Sequence, residues 1–156
     1  MPDLVSFGHN CRLSGYLQTL ETEKIMEIRY ALVKELPELE YDDAVARATE
    51  LLADEGFGVL TEIDVKATLK KKIDVDFRRY RILGACNPPF AHKALQHSLD
   101  VGMLMPCNVI VYETDDGKTV VSAVDPMQTM AAQGDPEMAP LADAVKQKLQ
   151  RVVDSL

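Results

Sequence analysis

Apolar residues alternate with polar ones, or run together, in five short segments that predict β-strands. The first starts at Met26, where apolar and charged residues alternate as far as Leu32, and it ends before Pro37. The last two are joined by residues 115–118, Asp-Asp-Gly-Lys, a composition typical of a hairpin turn. The predicted strands after the first are 58–65, 78–86, 107–114 and 119–124.

A spacing of three to four between apolar residues predicts helices in the intervening segments. The clearest is 41–55, which Gly56 ends as a C-terminal cap. Asn87 is expected to cap a helix that begins at Pro88 and runs to about His97. The other helical segments are a short turn or loop at 66–72 and a long C-terminal helix with apolar residues at 141, 145, 149, 152 and 156.

The order of these elements predicts an α+β fold. A single helical crossover links the first two strands, and the remaining strands are short and closely spaced, so most of the sheet is expected to be antiparallel. We therefore predict a two-layer sandwich with the helices on one face, formed by a single domain over residues 26–156. Residues 1–25 show no sustained period and are predicted to be an N-terminal extension.

Composition excludes several classes of protein. The net charge is -8 over 156 residues, which argues against a nucleic-acid-binding protein. No apolar run reaches the roughly 20 residues of a membrane span, and the N-terminus lacks the pattern of a secretory signal, so the expected location is cytoplasmic. Three widely spaced cysteines without a CxxC pair indicate reduced thiols. The common nucleotide, hydrolase and zinc-protease motifs are missing.

The segment 84–107 concentrates the side chains that carry chemistry. Cys86 precedes a predicted helix N-terminus, where unpaired amides and the helix dipole favour a thiolate. His92 lies one turn into that helix, and the basic run 66–72 would lie nearby if the strands pair in order. These charges would make Cys86 a nucleophile or a redox sensor. The alternative is that Cys86 is a small buried apolar residue, as most free cysteines are.

Other candidate residues depend on what surrounds Cys86. Cys107 opens an apolar strand and gains interest as a partner of Cys86, either in a disulfide or in transfer chemistry. Asn87 and His92, with Lys66 and Arg78, are candidates to bind a small anionic ligand, because cationic side chains attract carboxylate or phosphate. The alternative is a solvated basic face. No metal site is predicted, since His92 and His97 are five residues apart, and no cofactor can be assigned.

Long stretches of the chain resemble a known family. The segments GFGVLTEIDVKATLKKKIDVDFRRYRILGACNPPFAHKAL, MLMPCNVIVYE and VSAVDP are similar to the bacterial and archaeal family named domain of unknown function 302. The family's Gly-Ala-Cys-Asn-Pro and Leu-Pro-Cys segments correspond to 84–88 and 105–107, with Met105 in place of leucine. The resemblance implies a compact α+β fold like half of the TATA-box-binding protein, often dimeric, with no established activity. It does not imply DNA binding, since a fold alone does not carry function.

Three functions are compatible with these residues. The first is a small cytoplasmic ligand-binding or thiol-sensing module centred on Cys86. The second is a cysteine-dependent enzyme of sulfur or peroxide metabolism that uses Cys86 and Cys107. The third is a structural protein in which both cysteines only fill space.

Overall fold

The computed structural model describes residues 30–156. This part of the chain contains five strands, five α-helices and two short 3-10 helices. The strands are β1 Ala31–Leu36, β2 Gly58–Asp64, β3 Tyr80–Cys86, β4 Cys107–Glu113 and β5 Thr119–Val124. The helices are α1 Tyr41–Asp54, α2 Val65–Ile73, α3 Pro88–His97, α4 Pro126–Thr129 and α5 Met138–Asp154, and the 3-10 helices are Leu99–Leu104 and Ala131–Gln133.

All five strands form one sheet in the order β1-β5-β4-β3-β2, and every neighbouring pair is antiparallel. The first two strands of the sequence are therefore the two edges of the sheet. They run in the same direction, and α1 crosses the whole sheet to connect them. This confirms the predicted helical crossover and the predicted antiparallel two-layer α+β sandwich.

One face of the sheet and two long helices enclose the main core. Leu83 and Val109 point to this face from the central strands, where they are opposite each other in register. Leu52 of α1 and Leu149 of α5 pack against them, and all four side chains are fully buried. Each such side chain contributes about 1.5–3 kcal/mol when it leaves water, so this face is the main source of stability.

The structure differs from the predicted elements in a few places. The first strand begins at Ala31, and Tyr30, which was expected to share a face with Leu32, is 61 % exposed. Met26 and the predicted N-terminal extension lie outside the described residues. Residues 66–72 belong to a complete helix, because the side chain of Asp64 accepts a hydrogen bond from the Ala67 amide and caps it. The short helices at 99–104, 126–129 and 131–133 were not predicted.

Candidate functional site

The two cysteines of the described chain meet at one end of the sheet. Cys86 is the last residue of β3 and Cys107 is the first residue of β4. Because these strands are antiparallel, Ala85 lies directly opposite Cys107, so Cys86 is one residue away from the cross-strand position. The fold thus brings together two residues that are far apart in sequence.

Both cysteines line the same pocket, which we name the Cys86 pocket. It is mostly apolar, and its free space is about 30 Å³, more than the roughly 10–15 Å³ that one water molecule needs. Several of its side chains are partly exposed, so it opens to the surface. Its thirteen residues are Phe57, Ala85, Cys86, Asn87, Phe90, Ala91, Ala94, Met105, Pro106, Cys107, Met130, Leu141 and Val145.

The surroundings of the two thiols keep them protonated. Burial raises the pKa of Cys86 above its ordinary value of 9.0. Burial, and then the nearby Cys86 thiol, raise the pKa of Cys107 to about 11. A buried apolar environment disfavours the charged form of a group, and no cation among residues 30–156 offsets this effect at Cys86. The expectation that helix α3 and nearby cations would lower the pKa of Cys86 is therefore wrong.

Asn87 contributes a polar group to the apolar wall of the pocket. It precedes α3 as predicted, but its side chain makes no capping hydrogen bond to that helix. Its Nδ2 instead donates to the main-chain oxygen of Glu55, 3.3 Å away. Its Oδ1 is buried, and no donor from the described residues reaches it. Buried polar atoms are nearly always paired, so this one needs an explanation.

The remaining predicted site residues lie elsewhere. His92 is exposed on α3 and does not line the pocket. Lys66 follows β2 at the end where Asp64 pairs with Arg81, and Arg78 precedes β3 at that same end. Six residues of β3 separate that end from Cys86, about 20 Å at 3.3 Å per residue. The basic run 66–72 is distant from Cys86 because β2 and β3 are antiparallel. The segment that connects these two strands therefore lies at the other end of β3 from Cys86.

Both distant cations have other surroundings. Arg78 donates to the main-chain oxygen of Glu113 at 3.2 Å and to Asp115 Oδ1 at 2.7 Å. Lys66 lines a separate polar cleft, whose other residues are Tyr41, Asp42, Asp64, Arg79, Tyr80 and Arg81. The arginines of this cleft are paired with carboxylates, Arg79 with Asp42 and Arg81 with Glu62. These contacts tie α1, β2 and β3 together.

The start of α3 offers few amides to an anion. Its first two residues are Pro88 and Pro89, which have no N–H group. The amide of Ala91 already donates to the main-chain oxygen of Asn87 at 2.9 Å. An anion at this helix start would therefore find few free backbone N–H groups to bind it.

Most of the pocket wall was not singled out from the sequence. Phe90 and Met105 flank the two cysteines closely enough in sequence to have been considered. Phe57, Met130 and Leu141 come from distant segments. Phe57 precedes Gly58, which lies opposite Cys86 in the pairing of β2 with β3, whereas Met130 and Leu141 come from the C-terminal part of the chain. No local sequence signal marks these three residues.

Two kinds of functional feature are absent from residues 30–156. Between Tyr30 and Leu156, no cluster of three or more histidine, cysteine, aspartate or glutamate side chains has the geometry to hold a metal ion. Over the same residues, no helix combines the length and the apolar character needed to cross a bilayer.

Comparison with known proteins places the chain in a family. The profile described as "Domain of unknown function DUF302" matches residues 32–156. The chain belongs to the DUF302 family. A solved structure described as "Crystal structure of uncharacterized conserved protein DUF302 from Bacillus stearothermophilus" superposes with a TM-score of 0.74 at 28 % identity. The match covers 80 % of this chain and 96 % of that one.

The DUF302 assignment confirms the resemblance seen in the sequence, but it brings no activity with it. No curated protein matches the chain. The predicted homodimer and the predicted cytoplasmic location stay predictions. Function must therefore be argued from the Cys86 pocket itself.

Proposed function

We propose that this DUF302 protein is a small-ligand-binding module whose site is the Cys86 pocket. The observation that carries the proposal is the buried, unpaired Oδ1 of Asn87 in an otherwise apolar, surface-connected pocket. Ligand sites are typically apolar concavities with a few polar groups that orient the ligand. Cys86 lines this pocket as a neutral thiol, so it contributes contact area rather than a nucleophile.

Thiol chemistry is less well supported than binding. A sensing or catalytic cysteine acts as its thiolate, which a lowered pKa favours. Burial instead raises the pKa of both Cys86 and Cys107. An enzyme of sulfur or peroxide metabolism would need a cation beside the reactive thiol, and no lysine, arginine or histidine of residues 30–156 lines the pocket. A purely structural protein would not need a buried, unpaired acceptor on a residue that lines the pocket.

Methionine methyl signals in NMR spectra test the proposal on the full chain. Met105 and Met130 line the pocket, whereas Met103 is 81 % exposed and serves as an internal reference. Small neutral alcohols, amides and ketones should shift the Met105 and Met130 signals and leave Met103 unchanged. Such ligands gain at best about 1.5 kcal/mol per non-hydrogen atom, so the expected dissociation constants are micromolar to millimolar.

A pocket-filling substitution provides the control. Ala91 lines the pocket and is partly exposed, so Ala91→Leu should fill the pocket and abolish the shifts. His92→Leu introduces the same side chain at an exposed position of the same helix and should leave the shifts intact. If no compound moves the Met105 and Met130 signals of the wild type, the structural alternative is correct.

A further inference from the structure

The buried carboxamide of Asn87 specifies the ligand more closely, and this inference rests on the proposed function. Asn87 is only 7 % exposed, and it lies at the junction of β3 and α3, where both flanking elements hold its backbone. Its side chain lines the Cys86 pocket. The question is which of its two polar atoms is left without a partner there.

The partner of Nδ2 settles the orientation. The Glu55 main-chain oxygen is an acceptor, so the carboxamide atom that approaches it must be the donor Nδ2. Exchanging the two carboxamide atoms would place two oxygens against each other. Glu55 is itself held in place, because its side chain is paired with Arg151 and Lys148. Oδ1 is thus the atom left without a donor.

The other residues of the pocket wall offer Oδ1 no strong hydrogen-bond donor. Apart from Asn87, the lining side chains are apolar or contain sulfur. The thiols of Cys86 and Cys107 are only weak hydrogen-bond donors. No lysine, arginine or histidine lines the pocket among the described residues, so nothing there would neutralise a charged ligand. A buried acceptor in such a wall selects for a donor and against a negative charge.

We infer that the Cys86 pocket binds a compact neutral molecule that donates one N–H or O–H hydrogen bond to Asn87 Oδ1 and is otherwise apolar. The apolar wall, including Phe57, Phe90 and Met105, covers the remainder of the molecule. The free space of about 30 Å³ admits a group of only a few non-hydrogen atoms, with any larger part outside the mouth. Alcohols and primary amides have this chemistry.

Matched probes of equal size test the inference. Acetamide and acetone differ by one NH₂ group in place of CH₃, and 1-propanol and ethyl methyl ether differ only in having or lacking an O–H. Each is titrated against the full chain, with the methyl signals of Met105 and Met130 and the side-chain carbonyl ¹³C signal of Asn87 as readouts. The donor of each pair should bind at least about tenfold more tightly, because its analogue leaves Oδ1 unpaired.

Substitution of Asn87 provides the second test. In Asn87→Leu the two members of each pair should bind with similar affinity, since the acceptor is gone. If that variant does not fold, the affinity ratio within each probe pair and the shift of the Asn87 carbonyl signal in the wild type still test the inference. Equal affinities within each pair in the wild type would overturn the donor requirement and leave the binding function standing. That is also the result expected if Oδ1 holds only a water molecule. Absence of binding by all four probes would overturn both proposals.

Discussion

Asn87 Nδ2 and Lys148 Nζ both donate to the main-chain oxygen of Glu55, at 3.3 and 2.9 Å. The Glu55 side chain also accepts two hydrogen bonds of 2.8 Å from Arg151. One residue after α1 thus joins the β3–α3 junction to α5. The wall of the Cys86 pocket and the packing of the C-terminal helix depend on the same residue.

Acid should weaken the ion pairs of Glu55 with Arg151 and Lys148. The hydrogen bonds from Arg151, and then those from Lys148, lower the pKa of Glu55 from 4.5 to about 2. A carboxyl with a lowered folded-state pKa stabilises the fold above pH 4.5, and this contribution disappears as the pH falls towards 2. Glu55→Gln should lose about 2 kcal/mol at pH 7 in urea unfolding, after allowance for solvent screening, and the difference from wild type should narrow below pH 4.

Glu50→Gln is the matched control for that prediction. Glu50 lies on α1, five residues before Glu55, and pairs with Arg47 at 3.5 Å, but its side chain is 67 % exposed. It should change the free energy of unfolding by less than about 0.5 kcal/mol. An equal effect of the two substitutions would contradict the role assigned to Glu55.

The two partly buried thiols should react slowly with alkylating agents. Since the pKa of Cys107 is raised to about 11, its thiolate fraction at pH 8.5 is about a hundredfold below that of an ordinary cysteine. We expect Cys86 to react first and Cys107 only at high pH or after denaturation. Intact mass against pH, in a Cys11→Ser background with Cys86→Ser or Cys107→Ser added, measures both rates. Fast modification of Cys86 below pH 8 would revive the thiol-sensing hypothesis.

Gly84 should not tolerate a side chain. A Cβ at this position would lie 2.1 Å from Thr61 Oγ1 and 2.8 Å from Pro106 Cγ. Gly84→Ala is expected to cost about 1–3 kcal/mol through overpacking, measured by urea unfolding. Gly58→Ala is the control, because a Cβ there meets nothing within 4 Å. Thr61→Ala in the Gly84→Ala background should recover part of the loss; no recovery would place the clash at Pro106 alone.

The contribution of His97 to the stability of the fold should depend on pH in the opposite sense to that of Glu55. Its Nε2 lies 2.5 Å from Asp135 and its Nδ1 3.1 Å from Glu137, and these carboxylates raise its pKa above 6.5. A raised folded-state pKa gives a contribution that is complete below pH 6.5 and is lost as the pH rises through the folded value. NMR titration of the ring should show the raised pKa.

Removal of one carboxylate checks the cause of that shift. Asp135→Asn should move the pKa of His97 back towards 6.5, because Asp135 is the larger influence. Glu137→Gln should move it less. If neither substitution changes the titration, the contacts seen in the structure are not populated in solution.

Much of the fold could be predicted because its signals are local. The alternation in β3, the Pro88 helix start and the hairpin at 115–118 each depend on neighbouring residues, and all three agree with the structure. The order of the strands depends on contacts between distant segments, so no local pattern contains it. The same reason explains why Lys66 was expected near Cys86 and lies at the opposite end of β3.

The site could be predicted only in part. Cys86, Asn87 and Cys107 could be named as candidate site residues from their sequence context, and all three line one pocket in the structure. The electrostatic expectation failed because burial raises the pKa of Cys86, and burial depends on how distant segments pack around the thiol. The unpaired Oδ1 of Asn87 depends on a hydrogen bond to Glu55, thirty-two residues earlier in the chain.

The crossing of α1 also has a consequence for the nascent chain. β1 leaves the ribosome first, yet its only partner in the described sheet is β5, which begins at Thr119. Until β5 has emerged, β1 has no native strand to pair with, and that edge of the sheet cannot form. Contacts between segments that are far apart in sequence slow folding. We expect the sheet to be completed only after β5 has left the ribosome.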